Sequence, residues 1–350
     1  MVTNRARTWL YATIGLSAGA FALAIALAPP AGASPGRGLA WVLFVASSGH
    51  VASTAWAYTV PEVRAHAARH RGRYIVAPAL LVLATAALAI ALPPGTMAWL
   101  LLPYFGWQFF HFQKQNLGLA ALAASSNSVP SLTKPERRAI LAAGWAGIAG
   151  LVVHPALLQL TVNPRIGVLF PACGIAFAIA VLYGVVAFLR RARPARPAAL
   201  VAAYLMAVLF FLPVFAFASP YAAVGGLTIA HGAQYLLLMG MVAGGGSSAT
   251  SRMSAALSLA LLVNIALIGG GLLEVASHLH DQAGLVRGLY GAYLGVVMAH
   301  FVIDAGLWRL RDPFPRKFLA SRAPYLLRSP VPREAPSACP APQRLTRPTG

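Results

Sequence analysis

Four histidines lie inside long apolar segments of the sequence, where a titratable side chain is costly unless it has a purpose. They are His50, His111, His231 and His300. Neutral imidazole is the commonest metal ligand in proteins, and it suits iron, copper and zinc. Four imidazoles at one depth could hold one non-haem iron ion and leave one or two positions for oxygen. An apolar enclosure would then favour a lipophilic substrate.

Each of these histidines belongs to a stripe of polar residues at helical spacing. Steps of three, four and seven residues keep the members of a stripe on one face of a helix. A polar face that pointed at lipid would waste its hydrogen bonds, so we expect all four faces to point inward. The stripes are Ser47, His50, Thr54 and Tyr58; Tyr104, Gln108, His111 and Gln115; Thr228, His231 and Tyr235, with Gln234 alongside; and Tyr293, His300 and Asp304.

Three polar neighbours of the histidines are predicted to take part in the chemistry. Gln115, Gln234 and Asp304 would orient the imidazole rings from a second shell or handle protons. We therefore predict His50, His111, His231 and His300 as metal ligands, and Asp304, Gln115 and Gln234 as the catalytic residues.

The composition predicts that these residues sit in a membrane. Of the 350 residues, 59% are hydrophobic and only 10% are charged, whereas soluble domains carry about a quarter charged residues. Apolar blocks near the ~20 residues that cross a bilayer as a helix recur along the chain. The sequence predicts an all-α polytopic bundle of about ten helices at 8–29, 38–60, 74–93, 96–124, 138–162, 166–190, 198–217, 221–243, 253–273 and 288–309.

The basic residues predict the orientation of the bundle. All but four of the 27 Lys and Arg residues fall in alternate loops and the tail, the exceptions being Arg37, Lys114, Arg165 and Arg287. Cytoplasmic loops carry the excess of positive charge, so both termini are predicted to be cytoplasmic, in a bacterial-type inner membrane. The same distribution favours anionic lipid head groups as partners and argues against nucleic acid, despite the net charge of +20.

On this basis residues 1–327 form the membrane bundle and 328–350 a disordered, basic and Pro-rich cytoplasmic tail. Residues 1–33 could instead be a cleaved signal peptide, although their apolar core exceeds the usual length. The four helices with the membrane histidines all run from outside to inside. The histidines fall about 15 to 22 Å along them at a rise of about 1.5 Å per residue, near one plane.

Lys114 has two interpretations. It could pair with Asp304 across the bundle, or it could extend to the cytoplasmic head groups. In the second case the helix ends near Lys114, and the stretch LGLAALAA (117–124) lies along the interface.

Three other interpretations of the histidines stay open. They could be packing residues that hydrogen-bond neighbouring helices, axial ligands of a b-type haem, or part of a proton or ion path in a transporter. A di-iron desaturase is not favoured, because no predicted membrane helix carries a pair of closely spaced histidines. Five further histidines are predicted to lie in solvated loops or to be structural: His66, His70, His278 and His280 in loops, and His154 before Pro155.

Four short motifs carry a family resemblance. In order they are GHVAST (49–54), FFHFQ (109–113), IAHGAQ (229–234) and MAHFVIDAGLWR (298–309). They resemble the Brp/Blh-type membrane oxygenases that cleave β-carotene. The resemblance implies a helical bundle whose dispersed histidines hold one catalytic iron, with His50, His111, His231 and His300 as the ligands. It differs at Val51, where the family has Gly, and at Tyr235, where the family tends to have a second His.

Overall fold

The computed structural model describes residues 4–30, 33–245 and 252–327, with side chains from residue 255 in the third range. Every regular element in these ranges is helical, which confirms the predicted all-α class. In chain order the helices are α1 (Asn4–Ala26), α2 (Arg37–Thr59), α3 (Pro61–Arg69), α4 (Gly72–Ala91), α5 (Pro94–Ser126), α6 (Lys134–Val153), α7 (Gly167–Leu189), α8 (Ala198–Leu209), α9 (Leu212–Ala216), α10 (Tyr221–Gly244), α11 (Ala255–Ser277), α12 (Gly284–Leu307) and α13 (Pro313–Arg322). The predicted tail at 328–350 lies outside the described residues.

Seven helices in the described ranges are long and apolar enough to cross a membrane: α1, α2, α4, α7, α10, α11 and α12. A bilayer core of about 30 Å needs about 20 apolar residues in a helix, and these elements have 20 to 24. The protein is therefore a helical membrane protein. Ten crossings and two cytoplasmic termini stay predictions.

The other three predicted segments are also helical, but two have other ends than predicted and one is divided into two helices. Segment 96–124 is the long helix α5, which runs from Pro94 to Ser126. Segment 138–162 ends as a helix at Val153, because Pro155 cannot continue the hydrogen-bond ladder. Segment 198–217 divides into α8 and α9 at Phe210, shortly before Pro213.

Glycines bring several helices into backbone contact. A Cβ on Gly232 of α10 would collide with the backbone carbonyl of Ala46 on α2. Gly291 and Gly295 of α12 lie in the same way against the backbone of α4, near Thr85 and Val82. Lipid is as apolar as a helix surface, so close packing of small residues is what holds membrane helices together.

Helix α1 is part of the same packed bundle. Its Phe21 lies against Gly226 of α10, and Trp9 and Ser17 are almost fully buried. The polar side chain of Ser17 therefore points into the protein, towards the helices that carry the four histidines.

The contact at Gly232 gives a stability prediction. Gly232→Ala should lower the free energy of unfolding by about 1–3 kcal/mol, the usual cost of overpacking, because the Ala46 backbone cannot move aside without moving α2. The measurement is SDS-induced unfolding in mixed micelles, followed by circular dichroism.

The control is Gly240→Ala on the same helix, where nothing lies within 4 Å of the added Cβ. This variant should unfold at the wild-type SDS concentration or slightly above it. Equal destabilisation by the two alanines would contradict close packing at Gly232.

Candidate metal centre

Helix α2 presents His50 directly after an irregular turn. The backbone forms a π-turn over Val45–Gly49, resumes as α-helix at His50, and tightens to a 3₁₀ helix at Thr54–Thr59. A π-turn inserts extra residues into a helical turn, changes which side chains face a neighbour, and is frequent at functional sites. Gly270 of α11 lies against Gly49, and His50 is only 3% exposed.

Helix α10 places His231 next to His50. It also begins with a π-turn, at Tyr221–Gly225, and the glycine after His231 is the one that contacts the Ala46 carbonyl. The close approach of α10 to α2 brings the two imidazole rings to 4.9 Å between centroids. His231 is completely buried.

The other two histidines come from α5 and α12. His300 lies on the helix that packs along α4 through glycines, and it is 2% exposed. His111 lies near the middle of α5, and its side chain is 11% exposed. His111 is therefore the member of the set through which the surroundings can reach the others.

The four imidazole rings form a closed cycle of neighbours with nearly equal spacing, which we call the square. Successive centroids are separated by 4.9 Å between His50 and His231, 5.0 Å between His231 and His111, 5.1 Å between His111 and His300, and 5.0 Å between His300 and His50. The structure thus brings together the four histidines that the sequence placed at one depth, on helices separated by up to 250 residues in the chain.

Most nitrogens of these rings have no hydrogen-bond partner among the described residues. They are both nitrogens of His50, both of His231, Nε2 of His111 and Nε2 of His300. Backbone groups of Ala46 and Ser47 lie near the His50 ring, but they do not meet hydrogen-bond geometry with its nitrogens. A buried polar group left unpaired costs about 1–3 kcal/mol, so an unpaired cluster of this size points to a bound ligand.

Two overlapping sets of side chains have the spacing of metal ligands. Nitrogens of His50, His231 and His300 lie within 4.8 Å of one another, and so do ligand atoms of His111, His300 and Asp304. The Asp304 carboxylate is 3.7 Å from Nε2 of His300 and 4.0 Å from Nε2 of His111. One carboxylate therefore adjoins two of the four imidazoles, those of His111 and His300.

A hydrogen-bonded chain fixes His300 and Asp304 relative to each other. The Thr54 hydroxyl is 2.7 Å from Nδ1 of His300 and 2.9 Å from the Tyr235 hydroxyl, which donates to Asp304 at 3.0 Å. Both Thr54 and Tyr235 belong to the stripes read from the sequence, but neither was predicted to be a site residue. Their spacing from His50 and His231 was the available signal.

Gln115 and Gln234 form a hydrogen-bonded pair beside the backbone of His231. Nε2 of Gln115 donates to the carbonyl of His231 at 3.0 Å and to Oε1 of Gln234 at 2.9 Å. Gln234 in turn donates to Ser17 at 2.7 Å and to Asn116 at 3.4 Å. Both amides therefore lie beside the cluster and link α5, α10 and α1. The role of Ser17 was not predicted from the sequence.

Aromatic rings cover two sides of the square. Phe112 stacks on His231 at 3.9 Å between centroids, with 17° between the planes. Phe301 stacks on His111 at 4.6 Å and 28°. Phe112 directly follows His111 in the chain, and Phe301 directly follows His300. Each His-Phe pair therefore supplies one candidate ligand and one ring that packs on a histidine of another helix.

Lys114 follows neither prediction completely. Its side chain is exposed, and among the described residues the basic side chains that approach Asp304 are His111 and His300. The expected end of the buried helix near Lys114 is wrong, because α5 continues to Ser126 and its residues Ala120, Ala123 and Ala124 are fully buried.

The remaining histidines lie apart from the square. His278 and His280 are exposed after the end of α11, as expected for a loop. His154 is exposed at the end of α6. His66 differs from the prediction, because it lies on helix α3 and is half-buried, whereas His70 is exposed.

Comparisons of the chain with protein-family models, with curated proteins and with solved structures find no match.

The link through Thr54 gives a second prediction. Thr54→Val keeps the side-chain shape but leaves Nδ1 of His300 without its partner, so it should lower the free energy of unfolding by about 1–3 kcal/mol. SDS unfolding in mixed micelles measures the change.

Thr13→Val is the matched control, because the buried Thr13 hydroxyl bonds only to the Trp9 carbonyl of its own helix. That carbonyl keeps its helical partner, so this change should have a much smaller effect. Equal losses in the two variants would show that the bond to His300 contributes nothing specific.

Proposed function

We propose that this protein is a membrane-bound, non-haem-iron oxygenase that acts on a lipophilic, isoprenoid-like molecule. The observation that carries the proposal is the closed square of four buried imidazoles whose nitrogens lack partners. His50, His111, His231 and His300 would be the ligands. Iron, when bound, would supply the capacity to bind and activate dioxygen.

The two overlapping sets of side chains, which share His300, support a single ion. Ligand atoms on one metal with bonds of about 2.1 Å are separated by about 3–4 Å, slightly less than the spacing in the cluster. Small rotations of the rings would close that difference. Four neutral nitrogen donors beside one carboxylate suit iron, copper or zinc, and the resemblance of the four motifs favours iron among these.

The surrounding residues would keep the ligands in position. Thr54 engages Nδ1 of His300 and so leaves Nε2 for the centre of the square. A hydrogen bond to the second nitrogen fixes both tautomer and ring orientation in metal sites. Asp304, held by the Tyr235 hydroxyl, would balance the charge of the ion and could accept or return a proton there.

An apolar groove beside the cluster supports a lipophilic substrate. It lies between α5 and α6, has a volume of about 570 Å³, and is lined mainly by aliphatic and aromatic side chains, among them Trp107, Phe110 and Trp145. Trp107 is 37% exposed and contacts Phe301, the ring that stacks on His111. A molecule in this groove would thus be connected to His111, the least buried ligand, through the rings of Trp107 and Phe301.

The proposed reaction balances without an external reductant. Cleavage of one carbon–carbon double bond by dioxygen breaks the double bond and the oxygen–oxygen bond. Each product then carries one new carbonyl oxygen. The protein would carry out this reaction in the cell membrane as a multi-pass protein of about ten crossings with cytoplasmic termini, in contact with anionic lipids.

The geometry gives less support to the alternatives. A haem held by two of the rings would have to pass through the space of the other two, because all adjacent centroids are about 5 Å apart. A proton path through His300, Asp304 and Lys114 lacks its last step, since the described basic side chains that approach Asp304 are His111 and His300. Helix packing alone leaves the ring nitrogens unpaired.

Metal analysis tests the ligand assignment. Purified wild-type protein in mild detergent should contain about one iron per chain, and alanine at each of the four cluster histidines should reduce the iron by about tenfold or more, because removal of one ligand exceeds the ~10–100-fold loss seen for outer-shell changes. Elemental mass spectrometry together with a visible spectrum provides the measurement.

His154→Ala and His280→Ala are the controls, since both residues are exposed and outside the square. They should keep the wild-type iron content. A Soret band would show haem instead. Metal-free wild-type protein that carries pH-dependent flux in vesicles would favour a transporter.

Oxygen labelling tests the reaction. Iron-loaded protein in vesicles that contain β-carotene, the substrate implied by the resemblance, should form aldehyde products with one labelled oxygen each under ¹⁸O₂. Liquid chromatography with mass spectrometry detects them. His231→Ala should form less than about a hundredth of the product, while His280→Ala should match the wild type.

A wild-type protein that binds iron but forms no oxygen-dependent product from β-carotene would contradict this substrate. Products formed equally by His231→Ala would contradict the site itself.

A further inference from the structure

A second cavity lies away from the four-histidine square. Its volume is about 400 Å³, and its lining includes His66, Arg69, His70, Arg73, Asp312 and Phe314. No residue of the square lines it. The cavity forms between α3, the start of α4, the end of α12 and the start of α13, so two of the helices long enough to cross a membrane, α4 and α12, have an end beside it.

The basic side chains of the cavity come from one face of one segment. His66, Arg69, His70 and Arg73 follow each other at steps of three, one and three residues, which keeps them together on a helical surface. Arg69 and Arg73 are exposed residues that both line the same cavity. Arginine presents several donors in a planar fork that matches phosphate oxygens, and it stays charged at all relevant pH values.

The opposite wall adds one carboxylate and one aromatic ring. Asp312 is the acidic residue in the lining, and it already has a cationic neighbour, Arg309, at 3.7 Å. Phe314 lies flat against His66, at 3.9 Å between centroids and 3° between planes. The cavity thus combines a surplus of positive charge with an apolar wall.

The histidines contribute less charge than the arginines do. Partial burial lowers the pKa of His66, the neighbouring His70 and Arg69 lower it further, and Asp312 raises it. His66 contributes to the cavity chiefly through the ring that stacks on Phe314. Arg69 and Arg73 provide the permanent charge.

The floor of the cavity is held in place by tight packing. Gly306 of α12 lies directly against the Tyr74 hydroxyl and the Arg73 side chain, and the Tyr58 hydroxyl donates to the Tyr74 carbonyl at 2.8 Å. The aliphatic part of the Arg73 side chain thus packs against α12, and the residue is exposed towards the cavity.

From these features we infer that the cavity binds a phosphate group, with Arg69 and Arg73 as its donors and the His66–Phe314 stack as the wall for the attached organic part. A volume of this size holds a phosphate with a substituent rather than a bare ion. The phosphate could belong to a phospholipid head group or to a soluble phosphate compound, and the chemistry of recognition is the same.

The test uses the full-length protein and two pairs of substitutions. Arg69→Gln with Arg73→Gln removes both proposed donors. Arg64→Gln with Arg71→Gln removes the same charge from the same segment, at exposed residues that do not line the cavity. Wild-type unfolding curves for both double variants confirm that they fold.

One arm measures lipid and the other measures free phosphate. Delipidated protein is supplied with phosphatidylglycerol, and retained lipid is counted by native mass spectrometry. In parallel, inorganic phosphate and glycerol 3-phosphate are titrated by ³¹P NMR line broadening. Binding in either arm should weaken about tenfold for each arginine removed, the usual worth of a charged hydrogen bond, and should be unchanged in the Arg64/Arg71 variant.

Loss confined to the lipid arm identifies a head-group site, and loss confined to the soluble arm identifies a site for a free phosphate compound. The inference is overturned if wild-type protein binds neither probe saturably. It is also overturned if the two double variants lose binding equally, because general surface charge would then explain the attraction.

Discussion

The need to satisfy buried imidazole nitrogens in an apolar interior is the constraint on which the site depends. Six nitrogens of His50, His111, His231 and His300 have no hydrogen-bond partner among the described residues. At about 1–3 kcal/mol each, their combined cost is comparable with the whole free energy of unfolding of a typical domain, about 5–15 kcal/mol. A bound cation that accepts one lone pair from each ring would offset much of that cost, which is why we interpret the square as a ligand site.

The backbone around the square is built for close approach. π-turns precede both His50 and the helix of His231, and Gly232 and Gly270 let α10 and α11 contact α2 through backbone atoms. Sites on rigid helices hold their side chains more accurately than sites on loops. The hydrogen bonds from Thr54 to His300 and from Gln115 to the His231 carbonyl add a second level of positioning.

The sequence predicted the helical class and the four histidines because both depend on local patterns. Long apolar blocks specify helices in a membrane, and steps of three and four residues place Thr54 with His50 and Asp304 with His300. The order of helices in the plane has no such local signal. For that reason the bond from Gln234 to Ser17, which joins residues 217 positions apart, could not be predicted. Pro213 is a local signal for the break between α8 and α9, but it lies within a continuous apolar run that predicts one helix.

Binding of one ion by all four rings is the central property of the proposed site. X-ray absorption at the iron edge of the purified protein measures this most directly, because imidazole ligands give characteristic multiple scattering. We expect a first shell of nitrogen and oxygen atoms at about 2.1 Å that fits four imidazoles. A shell with two imidazoles or fewer, or one dominated by sulfur or by a porphyrin, would contradict it.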